Sequence, residues 1–539
     1  MVTTLYGTAD RETAFERLQE PWDVVIVGGG ITGAGILREG VRSGLRIVLL
    51  EQNDFASGTS SRSSKLVHGG LRYLNHFQFE LTRQSVLERE KLLSQGPGLV
   101  EPLPFLFPTY EHDAIPGWMM AIGLRLYAWL GGRWRVHEEL QPQDVVRMVP
   151  GLSTEHLTGG FWFVDAQTDD ARLVLRVIRE GVASGNGIAI NYARVERLLF
   201  GTDALVNGVT IRDRIADRSI DIRAKVVVNA TGVWADRLRE QVAGSSHIRP
   251  LRGSHLIFSR QRFSLNQAVS FPHPDDGRPV FVFPWEGVTL LGTTDLDHGA
   301  DLDEEPRITP DEVTYLLRAV QAHFPDYRLT EKDIRATFAG VRPVISHGQD
   351  ADPSKESREH AVWEEQGLLT VTGGKLTTFR NIALDVLKQL SHHLPQMLSV
   401  DERLSALDPV PAIDKVPDGL TEDQARRLVA RYGADILAFA AHYPARERET
   451  IDGLPIHWLE LRWAARYEAV QHLDDLLLRR VRLGLLTPRG GEAYLRRIRT
   501  IVKQELGWNG KRWREEASTY RKRWLASYGP PKISVVKNT

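Results

Sequence analysis

Val24-Val25-Ile26-Val27-Gly28-Gly29-Gly30-Ile31-Thr32-Gly33 is the stretch that decides the fold. Four consecutive β-branched residues read as a strand buried on both faces. The three glycines that follow let the chain turn sharply and let its backbone approach a ligand closely. A helical stretch comes next, then a second strand from Arg46 to Leu50, with Glu51 at its end. Strand, glycine turn, helix and strand in succession imply a parallel sheet. Gly28, Gly30 and Gly33 fit G-x-G-x-x-G, and Glu51 lies 21 residues beyond Gly30. Such a unit binds a dinucleotide. The pyrophosphate sits at the helix N-terminus, over Ile31 and Thr32, and the acidic residue, with Gln52 beside it, takes hydrogen bonds from a ribose.

The turn alone does not separate FAD from NAD. Only one complete fingerprint is present, because Gly185-Asn186-Gly187 lacks the later glycine and follows no clear strand. A second buried strand ends at Asn229-Ala230-Thr231-Gly232. A third, Leu368 to Val371, runs into Thr372-Gly373-Gly374-Lys375-Leu376-Thr377-Thr378 and then a helical stretch to about Leu390. A helix start there would aim N–H groups at the electron-rich edge of a flavin, although this segment by itself reads more simply as a strand-to-helix turn. It is not a P-loop, since the earlier glycine and the Ser/Thr after the lysine are missing. The Ala230/Gly232 strand end and the Gly373-Gly374 pair resemble flavoproteins of the glutathione-reductase type, which implies FAD.

Working outward, 539 residues exceed one compact core. Lys+Arg (68) and Asp+Glu (69) nearly cancel, which argues against nucleic acid as a partner. With no cysteine, disulfides, thiolate nucleophiles, iron–sulfur clusters and a cysteinyl-linked flavin are excluded. No metal site is read. Met1 to Glu20 carries charges throughout and is not a signal peptide, and no run approaches the roughly 18 apolar residues of a membrane span. The nearest is Trp118 to Leu130, which contains Arg125. A soluble or peripheral, cytoplasmic protein is expected.

Ala9 to Glu20 reads as a short polar helix and residues 80 to 140 as largely helical. Val280 to Trp285, Gly287 and Val288 to Leu291 read as a β-hairpin of a separate, substrate-facing antiparallel sheet. Asp408-Pro409-Val410-Pro411 and Pro417-Asp418-Gly419 are linker-like, and beyond them the periodicity is helical, Trp458 to Leu483 included. The expected fold is α/β: a Rossmann-like FAD-binding domain interleaved with an antiparallel-sheet substrate domain over 20–400, and an all-α C-terminal domain over 405–525.

The stretch Ser57 to Leu74, SGTSSRSSKLVHGGLRYL, is beyond what composition explains. It resembles the signature of FAD-dependent glycerol-3-phosphate dehydrogenases. Arg252-Gly253-Ser254-His255, Gly292-Thr293-Thr294-Asp295, Gly340-Val341-Arg342-Pro343 and the Gly373–Thr378 turn follow in that family's order, and the helices around Asp474, Asp475, Arg479 and Arg480 resemble its C-terminal domain. The resemblance implies oxidation of sn-glycerol 3-phosphate to dihydroxyacetone phosphate. It implies cofactor contacts from Thr59, Ser60, Ser61, Lys65, His68, Gly69, Gly70, Gly374, Leu376 and Thr377. It makes His255 the leading candidate for the base that takes the 2-hydroxyl proton, while C2 gives hydride to the flavin. A phosphate dianion calls for converging Arg and Lys. Arg72, Arg342 and Lys375 match the family there, with Arg358 beside them, and Arg342 also suits the developing alkoxide. The implied acceptor is a membrane quinone, reached by peripheral contact with the inner face of the cell membrane. A homodimer is a further candidate assembly. The rivals are an oxidase using O2 on the same substrate, and an amine or 2-hydroxy-acid oxidase.

Overall fold

The computed structural model describes residues 4–6, 10–70, 78–113, 117–130, 137–242, 244–345, 359–394, 401 and 403–531. Its first sheet begins with Trp22–Val27, every residue of which is buried. This strand pairs in parallel with Ile47–Leu50 on one side and with the second half of Arg218–Asn229 on the other. Gly187–Ile190 and Leu368–Gly373 extend the parallel order outward, and His360–Glu365 closes one edge antiparallel. Helices Ile31–Arg42, Asp170–Val182 and Phe379–His393 cover the sheet with apolar faces. The short polar helix before the first strand is present as Arg11–Glu16, capped by the Asp10 carboxylate.

Among the described residues the second sheet is antiparallel but for one short pairing, Ala268–Val269 alongside Phe105–Leu106. The expected hairpin is there, formed by strands Pro279–Trp285 and Val288–Gly292. Its turn residues Glu286 and Gly287 both have positive φ, the geometry that suits a two-residue hairpin loop. Strands Ile248–Ser259 and Ile334–Ile345 run side by side with Leu251 opposite Arg342 and His255 opposite Phe338.

Residues 80 to 140 depart from the largely helical expectation. Helix Phe79–Gln95 forms, but Val100–Tyr110 is a long strand that pairs with Leu157–Thr168. Its inward residues Leu103, Phe105 and Leu106 fill the core of the second sheet, and this tertiary packing decides the conformation. The helical stretch Trp458 to Leu483 is interrupted. Its first helix ends at Tyr467, the chain passes through Ala469 at φ 56°, and helix resumes at Leu473, running on as Asp475–Arg480. The C-terminal helices share one apolar core with the second sheet: Leu476, Leu485 and Ile498 lie in the same cluster as Phe283 and Trp285.

Candidate active site

The glycine turn works by close approach of backbone to backbone. A Cβ on Gly33 would lie 2.0 Å from the Gly28 carbonyl oxygen, and one on Gly28, at φ +116°, would lie 2.4 Å from the Ala230 carbonyl. Gly33 is therefore a packing residue that lets the helix sit on the strand end. Gly30 caps the helix, and the Ile31 N–H is taken by the Ser60 hydroxyl at 3.0 Å. Glu51 accepts from the N–H groups of Gly29 and Asn53, both at 2.8 Å. Burial pushes its carboxyl up to about 6, against the pull of those two N–H groups.

Over this turn opens a cavity of about 600 Å³. Of the expected cofactor contacts, Gly28, Gly30, Ile31, Thr32, Glu51, Gln52, Thr59, Ser60, Ala230, Gly232, Gly374 and Leu376 line it, as does Lys375. The Gly373–Leu376 turn, plain in isolation, thus faces the same space as the first fingerprint. Gly58, from the Ser57–Leu74 stretch, also lines it, as do Trp234 and the hairpin residues Arg194 to Glu196, which carry no sequence signal. A pyrophosphate cradle without Cβ atoms, an acidic residue at one end and a basic turn at the other fit FAD.

Other expected contacts stand elsewhere. Lys65 is fully buried and is not among the residues lining the cavity, its ammonium 2.7 Å from Asp170 and 2.6 Å from the Ser61 carbonyl. Burial brings its ammonium down to about 8 although Asp170 pulls it up. Ser61, through that carbonyl, also serves the buried network. Thr377 holds the backbone of His68, with 3.2 Å from the His68 N–H to its hydroxyl, and the Gly69 N–H donates to the Tyr127 hydroxyl at 2.8 Å. His68, Gly69, Gly70 and Thr377 are not among the residues lining the cavity. Arg72 and Arg358 lie outside the described residues.

Ser63 and Pro343 line the cavity, and their chain neighbours Ser64 and Arg342 lead to the reactive candidates. His255 is 1 % exposed. Its ring stacks on Phe338 at 4.5 Å, and its Nε2 is 2.9 Å from the Ser64 hydroxyl. Among the described residues its buried Nδ1 has no hydrogen-bond partner. Gly292 makes room for it, since a Cβ there would come within 2.2 Å of the imidazole. Burial, reinforced by the charges of Lys65 and Arg342, holds His255 well below the usual histidine range, so the ring is neutral. Arg342 donates to Asp295 at 2.7 Å and to the Thr293 hydroxyl at 3.2 Å, in space left open by Gly253. Lys375 reaches the Ser85 hydroxyl at 3.2 Å. Ser64, Thr293 and Asp295 were signalled only by the motifs in which they sit.

Sheet, turn and cavity together define an FAD-dependent oxidoreductase. Residues 23–380 match the family described as FAD dependent oxidoreductase, and 370–513 match the C-terminal domain of alpha-glycerophosphate oxidase. The aerobic glycerol-3-phosphate dehydrogenase of Staphylococcus aureus is 34 % identical over 505 residues, 88 % of this chain and 89 % of that protein. The structure of glycerol-3-phosphate dehydrogenase from Bacillus halodurans, complexed with FAD, superposes with a TM-score of 0.76 at 26 % identity, over 98 % of this chain and 100 % of the other. L-alpha-glycerophosphate oxidase from Mycoplasma pneumoniae shares the fold at 19 % identity, with a TM-score of 0.54 over 73 % of this chain and 100 % of the other. The chain belongs to the glycerol-3-phosphate dehydrogenase family of FAD-dependent oxidoreductases.

Proposed function

We propose that this chain oxidises sn-glycerol 3-phosphate to dihydroxyacetone phosphate and passes the electrons to a membrane quinone. The observation that carries the reading is the neutral, buried His255, one residue from the cavity wall through Ser64 and under the charge of Arg342. A neutral imidazole can accept a proton, and His255 Nε2 takes the one on the substrate 2-hydroxyl, displacing the Ser64 contact. Arg342 and Lys375, with Arg72 and Arg358, bind the phosphate. A dianion beside Arg342 offsets the charge that depresses His255 and makes the ring a stronger base as substrate binds. Arg342, steadied by Asp295, also faces the oxygen on which negative charge develops. Bound FAD supplies the two-electron acceptor, while the protein positions the substrate and excludes water.

For the quinone and the membrane, the support is the helix Gly117–Leu130. Leu124 and Tyr127 are buried, whereas Trp118, Met119, Ile122 and Trp129 are 65, 48, 54 and 55 % exposed. Tryptophan and aliphatic side chains on one face, with Arg125 among them, suit the headgroup boundary of a bilayer. Among the described residues no helix is long and apolar enough to cross a membrane. Peripheral attachment at the inner face of the cell membrane, with the enzyme on the cytoplasmic side, accommodates both facts. A second reading, with O2 as acceptor, is favoured by the C-terminal match to an oxidase domain.

The test is anaerobic bleaching of the yellow protein by glycerol 3-phosphate, followed by reoxidation. Rapid reoxidation by a quinone analogue and slow reoxidation by O2 support the dehydrogenase. The reverse order makes it an oxidase. Failure to bleach removes the substrate assignment.

A further inference from the structure

We propose that Glu111, His112 and His156 form a binding site for a divalent transition-metal ion of the zinc, nickel and copper class. The three side chains offer two imidazoles and one carboxylate, and their ligand atoms all lie within 4.8 Å of one another. Glu111 Oε2 is 2.8 Å from His156 Nδ1, and the rings of His112 and His156 are 5.4 Å apart. Glu155 places a further carboxylate oxygen 3.9 Å from His156 Nε2.

The backbone holds this group together. Strands Val100–Tyr110 and Leu157–Thr168 pair along their length, with Tyr110 opposite Leu157. Immediately past that rung the Glu111 N–H donates to the His156 carbonyl at 3.0 Å. The Asp113 carboxylate takes the Tyr110 N–H at 2.8 Å and fixes the turn that carries His112. His156 stands at φ +58°, a left-handed conformation uncommon for a residue with a side chain. Sheet register, rather than chance proximity of loops, thus sets these residues side by side.

The donor set selects the metal class. Imidazole nitrogen suits zinc, copper and nickel, whereas calcium needs six to eight oxygen ligands and magnesium a near-ideal oxygen octahedron. In a tetrahedral site with bonds of about 2.0–2.1 Å the ligand atoms stand roughly 3.3 Å apart. Rotation of exposed side chains closes the remaining gap, and water completes the shell, because Glu155 stands at the Nε2 side of His156, opposite the nitrogen that faces Glu111. The ion would replace the Glu111–His156 hydrogen bond and tie 111–113 to 155–156. Helix Gly117–Leu130 begins just beyond that tie. None of these residues lines the cofactor cavity, so a bound ion here would be a cross-link outside the redox site.

Untagged, FAD-loaded full chain, stripped with a chelator, is titrated calorimetrically with zinc chloride and optically with cobalt chloride. The expected result is one saturable zinc site and the visible absorption of a nitrogen-ligated cobalt ion. His112→Ala and His156→Ala should each weaken zinc at least about tenfold, with FAD content and circular dichroism unchanged. Absence of saturable binding to the wild type overturns the proposal. So does a His112→Ala/His156→Ala double variant that binds as tightly as wild type, or calcium binding as tightly as zinc.

Discussion

The turn at Gly28–Gly33 contains no charged side chain, whereas Asp54, only a few residues beyond Glu51, is gripped by two buried arginines. Asp54 accepts from Arg480 at 2.7 Å on each carboxylate oxygen and from Arg479 at 2.5 Å. Close by, Arg482 reaches Asp169 and Asp170, and Arg172 pairs with Glu468 at 2.9 Å. These pairs join the C-terminal helices to the FAD-binding region. Burial works to raise the Asp54 pKa, but the two guanidiniums outweigh it and keep the group ionised. The turn binds by leaving atoms out, so that backbone N–H groups and helix dipole meet a ligand. The seam binds by burying full charges that must find one another, and it is strong only while every partner is present. A motif reader sees the first kind of site and misses the second.

The contrast can be broken at several points. The largest effect is expected at His255, the base of the proposed reaction. His255→Ala should slow anaerobic bleaching by about 10²–10⁴-fold, and a rate within a few-fold of wild type would remove it as the base. Asp54→Ala leaves Arg479 and Arg480 buried without their shared carboxylate. It should lower unfolding stability by about 3–5 kcal/mol in denaturant titrations. A change under about 1 kcal/mol would mean that the seam relaxes around its charges. Arg342→Ala should reduce kcat/KM by about 2–5 kcal/mol of transition-state binding, roughly 30-fold or more. FAD content should hold, and a matching loss of flavin would make Arg342 a structural residue.

Glu51 gives the test by pH. Its folded pKa of about 6 lies above the usual glutamate value, so between those two values the apoprotein holds a proton that the unfolded chain has lost. That part of apoprotein stability is present at low pH and falls as pH rises through about 6. FAD should behave oppositely, because ribose hydroxyls donate to the ionised carboxylate. FAD affinity of the apoprotein is expected to be about tenfold weaker at pH 5 than at pH 7, and Glu51→Gln should flatten the profile. A profile that Glu51→Gln leaves unchanged assigns the titration to another group. The smallest effect concerns the membrane. Trp118→Ser with Trp129→Ser should reduce flotation with anionic liposomes while the protein stays folded and yellow. Normal flotation would move the docking surface elsewhere.

The sequence by itself determined the nucleotide end of the site. Gly28, Gly30, Gly33 and Glu51 act at short range within one strand–turn–helix–strand unit, so their spacing carries the geometry, and the hairpin at Glu286-Gly287 was legible for the same local reason. It also marked His255, Arg342 and Lys375, through motifs rather than through contacts. Tertiary structure alone decided the rest. Val100–Tyr110 became a strand because the second sheet needed its side chains. Lys65 is tied into a buried network because Asp170, 105 residues away, takes its ammonium. Asp54 meets Arg480 across 426 residues. A local pattern is readable when the interacting groups lie within one turn or strand. Burying an isolated charge costs so much that the fold must supply a partner, and no spacing rule says from how far along the chain that partner will come.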